Sequence, residues 1–350
     1  MRICFVAAPL IARSGVYNSA SELVRAGRAA GNDWHAVLGV SSKAGSEPRD
    51  EAGIFEFTAE PGGVGGVVGL SRRLMSLPQV RDAELVVSLV PQTDMALSIS
   101  TKAWVAYLRG LPWPARGEAN SLKSAVWKIL ELTALRRARD VWATTPMLAR
   151  ETGSAVKRLV PPGIARPSAP SGDHPRNTFV WAARYSADKN PLLFADALRD
   201  SSLSGIMYGA GPMADRIRDY APSNVSVPGW AAAGELWANA RAYVGTSSRE
   251  AFGRSAVEAA MLGIPPIISS AFGCAEMLYT DAELARVMII DSPDPTRWRA
   301  VMERVASDQE LHDAAAAHAR QNSLTLTVEA SAEYVAAAAL TAAEVSFGRA

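Results

Sequence analysis

Two cations, Arg184 and Lys189, stand five residues apart on a segment that follows an apolar run and precedes a helical pattern. Such a pair can hold a diphosphate, the guanidinium as a planar fork and the ammonium as a point charge. A solvated loop with two surface charges is the competing reading. A second segment, Thr246–Arg254, carries Glu250, Phe252 and Gly253, and Glu258 lies eight positions after Glu250. With 19 glutamates in the chain, about one pair at this spacing is expected by chance. Ser255 and Glu258 also fit a capping box, in which the glutamate folds back on the helix start. Context favours a ligand: Gly253 sits where backbone must come close to something, and a helix start offers free N–H groups to an anion. Gly209 and Gly211, in Gly209-Ala210-Gly211-Pro212, would let backbone approach a ligand closely. Arg13-Ser14-Gly15 suits a phosphate or sugar, and a simple helix-entry turn explains it equally well.

The four histidines, His35, His174, His312 and His318, form no His–Asp pair for base catalysis. His312 and His318 are six apart, which excludes the i,i+4 zinc pattern. The chain contains no Asp-x-Asp, so metal-bridged diphosphate chemistry is disfavoured and no metal is expected. Cys4 and Cys274 read as buried or idle thiols of a reducing cytosol.

These segments need elements to position them. Short β-rich runs at Ile3–Ala8, Trp34–Val40, Glu84–Val90, Ala103–Leu108 and Val141–Thr144 alternate with helical patterns such as Ser19–Ala30 and Leu122–Ala138. Pro161-Pro162-Gly163 stops the pattern, and Ala165–Asn177 reads as a linker. The alternation restarts with Thr178–Ala182, Gly205–Tyr208, Val225–Val227, Ala242–Gly245, Pro266–Ser269 and Val287–Ile290. Two mostly parallel sheets covered by helices follow, and ligands collect outside the carboxyl ends of such strands. A last Ala-rich helix, Thr325–Val345, carries an apolar stripe of Val328, Tyr334, Val335 and Leu340.

The bulk numbers agree. The 350 residues suffice for two domains, and a net charge of +1 gives no reason to expect nucleic acid. The N-terminal run reads as a buried strand, not an export signal, and no apolar run is long enough to span a bilayer. Leu122–Arg139 carries Lys123, Lys128, Arg136, Arg137 and Arg139 against one acid, Glu131. It is a candidate for weak peripheral membrane contact, against the commoner case of a helix that packs on its own domain. Val64–Arg73 is a weaker second candidate.

Taken in order, the loops resemble the retaining glycosyltransferases of family 4. Ala183-Arg184 with Lys189-Asn190 is similar to that family's G-R-L-x-x-x-K-G loop, departing at Ala183 and Tyr185. Gly209–Pro212 is similar to its G-x-G-P turn, and Asn224-Val225 with Gly229 to its n-V-x-f-x-G strand. Ser247–Gly253 with Glu258-Ala259-Ala260 and Gly263-Ile264-Pro265 resembles its S-x-x-E-x-F-G…E-A-x-x-x-G-x-P core. Gly273–Glu276 matches G-G-x-x-E loosely, and Pro162-Gly163-Ile164 resembles P-N-G-I.

The resemblance implies a GT-B fold, α/β, with two Rossmann-like domains facing across a cleft. It gives an acceptor-side domain at 1–165, a donor-side domain at 166–324, and a C-terminal helix at 325–350 packing back on the first. It implies a nucleotide-diphosphate-sugar donor, a hydroxyl acceptor (glycan, lipid-linked or natural-product), no cofactor and a cytoplasmic enzyme, at most at the inner face of the membrane. Arg184 and Lys189 would hold the leaving diphosphate. Glu250 would meet the transferred sugar, and Phe252 and Gly253 would offer N–H groups there. Glu258 would bind the ribose, and Ser255, Gly209, Gly211 and Gly15 would complete the donor site. Trp230 would stack on the base, unless it fills the core. The family's first-domain histidine is replaced by Arg109, which cannot act as a base near neutral pH and is suited to a phosphate or carboxylate. A GT-B nucleotide-sugar epimerase and a non-catalytic sugar-nucleotide-binding protein are the alternatives.

Overall fold

The computed structural model describes residues 1–13, 15–44, 50–62, 64–110, 113, 121–169, 176–231 and 233–344. The chain forms two units, residues 1–163 with 328–350, and 164–327. It therefore leaves the first unit at Gly163, before the Pro- and Ser-rich stretch, of which residues 170–175 lie outside the described set.

The first unit is built on eight strands: β1 (Ile3–Leu10), β2 (Trp34–Val40), β3 (Asp50–Glu51), β4 (Ile54–Thr58), β5 (Leu85–Ser88), β6 (Trp104–Leu108), β7 (Val141–Ala143) and β8 (Arg158–Leu159). Their order is β3-β4-β2-β1-β5-β6-β7-β8, and only β3 runs antiparallel to its neighbour. The strands β3, β4 and β8 were not foreseen, although Ile54–Thr58 shows period-2 alternation. Both faces of the sheet are buried, which is why β1 reads as a nearly continuous apolar run. One face packs on the helices Val16–Ala29 and Val328–Glu344, the other on Val64–Ser76, Pro91–Ser98 and Ser121–Leu135.

The helix Val328–Glu344 thus belongs to the first unit, against Val16–Ala29. Its buried face is Ala332, Val335, Ala338, Ala339 and Ala342, small side chains that let the two helices come close. Tyr334 and Leu340 of the expected stripe are exposed instead.

The second unit has six parallel strands, β9 (Thr178–Ala182), β10 (Ser204–Tyr208), β11 (Val225–Gly229), β12 (Ala240–Gly245), β13 (Pro266–Ser269) and β14 (Ile289–Ile290). Their order, β11-β10-β9-β12-β13-β14, is the doubly wound Rossmann order. It has a switch point between β9 and β12, from which successive connections depart to opposite sides and leave a crevice at the strand ends. Its core includes Trp181, Trp237 and Trp298.

Candidate active site

At the switch point of the second sheet the loops after β9 and β12 are tied together. The Thr246 hydroxyl, at the end of β12, accepts from Trp181 Nε1 at 2.9 Å and lies 3.1 Å from Lys189 O and 2.9 Å from Asn190 O. The Ser248 amide donates to Asp188 O at 2.9 Å. These contacts set the main chain from which Lys189 projects. Its Nζ lies 2.8 Å from Glu250 Oε2 and 3.2 Å from Arg249 O, with Asp188 Oδ2 at 3.3 Å. Lys189 and Glu250, 61 residues apart in sequence, thus meet in a half-buried ion pair. Asp188 is held below the usual carboxylate range: burial works against ionisation, and the Ser186 hydroxyl and Lys189 outweigh it. Arg184 is exposed on the same loop, with no side-chain partner among the described residues.

Tyr185, a departure from the family pattern, is buried against Trp181 and donates its hydroxyl to Met207 O at 2.8 Å. It anchors the loop to β10. The next loop closes on the same backbone: the Tyr185 amide donates to Ala210 O at 2.9 Å, and the Met213 amide to Tyr185 O at 3.1 Å. A Cβ on Gly209 would stand 2.0 Å from Ala183 O, and one on Gly211 2.5 Å from Tyr185 O. The close approach that demands these glycines is therefore to the Arg184 loop itself.

Past Glu250 the loop pairs with the one after β13. The Glu250 amide donates to Ala271 O at 3.1 Å, Gly273 N–H to Glu250 O at 2.9 Å, and Cys274 N–H to Phe252 O at 2.9 Å. Gly253, at φ 104°, caps the helix Arg254–Met261. A Cβ there would lie 2.5 Å from Phe272 Cδ1, so both conformation and space require glycine. Among the described residues the Phe252 and Gly253 amides have no acceptor. The capping box does not form: with Gly253 as the cap, Ser255 falls at the second helical position and Glu258 at the fifth, and no side chain caps this end. Glu258 is half-buried on that helix. Cys274 is buried behind Gly253, and burial, then Glu250, raises its thiol well above the ordinary value. Trp230, just past β11, is 78% exposed and fills no core.

In the first unit, Gly15 caps the helix Val16–Ala29 at φ 48°. Ser14 lies outside the described residues, and Arg13 forms a 2.6 Å ion pair with the buried Glu56, which also accepts from Tyr17. Arg109 follows β6, lies over the Tyr107 ring at 4.9 Å and contacts the Ser19 hydroxyl. It lines a pocket of about 170 Å³ with Val16, Leu89, Val90, Pro91 and Asp94. The structure thus places Arg109 and Gly15 in the first unit, joins Lys189 to Glu250 in the second, and sets Gly209 and Gly211 against the Arg184 loop.

Two buried residues that no motif indicated are Asp94, which lines the pocket, and Glu131, on the helices Pro91–Ser98 and Ser121–Leu135. Asp94 Oδ1 and both Glu131 oxygens make no hydrogen bond of good geometry among the described residues, although the two carboxyl groups and the Ser88 hydroxyl lie close enough to interact. Burial, then the charge of Asp94, pushes Glu131 far up, so the pair retains a proton at neutral pH. No group of three or more metal-ligating side chains occurs among the described residues.

Two parallel Rossmann-like sheets of this build define the GT-B fold of the glycosyltransferases, and solved structures of that fold align over nearly the full chain. Sucrose-phosphate synthase from Thermosynechococcus elongatus aligns at 16% identity over 97% of this chain and 98% of that chain, with a TM-score of 0.78. HepE from Anabaena, in complex with UDP and glucose, aligns at 16% identity over 97% and 99%, with a TM-score of 0.72. WaaG, a glycosyltransferase involved in lipopolysaccharide biosynthesis, aligns at 14% identity over 95% and 98%, with a TM-score of 0.69. Residues 168–322, most of the second unit, match the family described as "Glycosyl transferases group 1". No curated protein matches the chain by sequence.

Proposed function

We propose that the chain is a retaining glycosyltransferase that moves a sugar from a nucleotide-diphosphate sugar to a hydroxyl acceptor. The observation that carries this reading is the meeting of Lys189 with Glu250 at the switch point, beside the helix opened by Gly253. Cation, carboxylate and free amides in one place suit a ligand that carries both a diphosphate and sugar hydroxyls. The group 1 match over these loops supports the same reading.

In this mechanism Arg184 and Lys189 stabilise the charge that develops on the leaving diphosphate. Glu250 accepts hydrogen bonds from the transferred sugar, and the Phe252 and Gly253 amides donate beside it. Glu258 accepts from the ribose hydroxyls, and Trp230 offers its exposed face to the base. Ser255, Gly209, Gly211 and Gly15 shape the donor's surroundings. The bond from the anomeric carbon to the phosphate oxygen breaks. The acceptor oxygen bonds to that carbon on the same face, and its proton passes to the departing phosphate. Arg109, always charged, binds a phosphate or carboxylate of donor or acceptor and takes no proton. The diphosphate charge is met by side chains, so a chelator leaves turnover unchanged.

HepE has been solved with UDP-glucose, which makes uridine nucleotides the first donors to test. A true donor raises the melting temperature through linkage, and NMR of the product gives the anomeric configuration. If no nucleotide sugar shifts melting, the donor reading fails. An inverted product rejects retention alone. Donor isomerised without acceptor supports an epimerase, and binding without any turnover a non-catalytic binder.

A further inference from the structure

The helix Ser121–Leu135 carries large apolar side chains on its exposed face as well as on its buried one. Its one acid, Glu131, is fully buried, together with Ala134 and Leu135. Three of its large apolar side chains nonetheless face water: Ile129 is 64% exposed, Val126 49% and Leu130 39%, while Leu132 and Leu135 pack on the core. Lys128 is exposed among them, with its ammonium 4.7 Å from the Trp113 ring centroid. Arg136, Arg137 and Arg139 are exposed just past the helix end. Arg137 donates to Ser98 O at 3.1 Å, which brings Ile99, 51% exposed, alongside the same surface. From Ser124 to Arg139 no acid is exposed. The chain as a whole is nearly neutral, at +1, so a surface of cations with no exposed acid is locally basic.

A helix that shows water three large apolar side chains while it buries its carboxylate leaves an unpartnered face. We propose that this face docks on an anionic lipid surface, with Val126, Ile129 and Leu130 entering the headgroup boundary and Lys128, Arg136, Arg137 and Arg139 meeting lipid phosphates. The chemistry on the page selects that occupant. Apolar contact alone would serve a second copy, but a two-fold contact sets the same surface against itself and would bring the four cations together with no acid between them. An anionic bilayer answers both halves of the surface, apolar core and basic rim. The helix lies on the bilayer and does not cross it, since no described helix is long and apolar enough to span one. Among the described side chains of Val64–Ser76 the exposed large apolar one is Val68, so this helix is left out of the surface. The inference is independent of the proposed transferase activity and is read out by binding alone.

The test is co-sedimentation of the full chain with vesicles of phosphatidylcholine alone and of phosphatidylcholine containing one-third phosphatidylglycerol. Binding to the anionic vesicles only, weakened by high salt, is the expected result. Joint replacement Ile129→Glu and Leu130→Glu should weaken it at least about tenfold, with the melting temperature unchanged because both side chains are exposed. Lys128→Ala and Arg136→Ala should each weaken it about fivefold. Equal binding to neutral and anionic vesicles, no binding to either, or wild-type binding by the Ile129→Glu, Leu130→Glu variant overturns the proposal. So does a dimer in light scattering that the double variant splits, combined with no sedimentation.

Discussion

Each unit has a switch point, between β1 and β5 in the first and between β9 and β12 in the second, and the two are furnished differently. In the second, the loops after β9, β10, β12 and β13 are bonded to one another through the main chain, and charged side chains from two of them meet. In the first, the strand ends border a largely apolar pocket with one guanidinium, Arg109, while Arg13 is taken up by a buried carboxylate. A ligand's charged part needs fixed donors and pays for misplacement, so a zipped set of loops suits a constant group such as a diphosphate. An apolar pocket with a single cation fixes far less of a ligand's charge. The family match covers residues 168–322, which hold the bonded loops of the second unit.

The largest expected effect breaks or keeps that contrast directly. Glu250→Ala and Lys189→Ala should each lower donor turnover by about 10²–10³-fold, and their double variant should lose less than the sum because the two side chains touch. Arg109→Ala should reduce the melting shift given by donor less than Glu250→Ala does. If Arg109→Ala abolishes donor binding and Glu250→Ala does not, the assignment of the two switch points is reversed.

Next, Gly253→Ala should destabilise the second unit by about 2–4 kcal/mol, through left-handed backbone strain and the clash with Phe272, measured by denaturant unfolding. A loss below that range would mean that the Phe272 side of the loop yields.

A smaller effect tests the ground beneath the first pocket. Burial raises Glu131 above the ordinary glutamate value of 4.5. The neutral pair's contribution to stability is therefore complete below that pH and is lost as pH rises, when the unfolded chain releases protons that the folded chain keeps. Glu131→Gln, which cannot ionise, should gain about 1–2 kcal/mol over the natural chain at pH 8 and nothing at pH 4. A gain independent of pH would assign the effect to packing.

Smallest is Trp230→Ala. It should weaken nucleotide binding roughly fivefold, about 1 kcal/mol of stacking, with the melting temperature of the free protein unchanged because the ring is exposed. Calorimetry that shows undiminished affinity removes Trp230 from the base site.

Much of the second unit was legible because its strands are continuous apolar runs and its glycines lie at strand ends. Thr178–Ala182 and Pro266–Ser269 stand as read. What periodicity cannot supply is which strands pair, and hence that Lys189 and Glu250 meet. The capping box looked sound because Ser255 and Glu258 have its spacing, but Gly253 starts the helix two residues before that serine. Tyr185 read as a departure in a binding loop, whereas burial gives it a structural use. The direction faced by the helix Ser121–Leu135 was hidden too. Its apolar residues suggest an inward face by pattern, and only packing shows Glu131 inside.

The seat of the helix Val328–Glu344 on Val16–Ala29 has a consequence for the order in which the molecule is made. Leu23 and Val24, buried in the shared core, are synthesised before residues 164–327 and wait for Ala332, Val335 and Ala339, which follow them. Residues 164–327, with all their strands contiguous in sequence, are complete before that closure. The first unit is thus completed only after the second, through a contact between segments about three hundred residues apart, the kind that forms slowly.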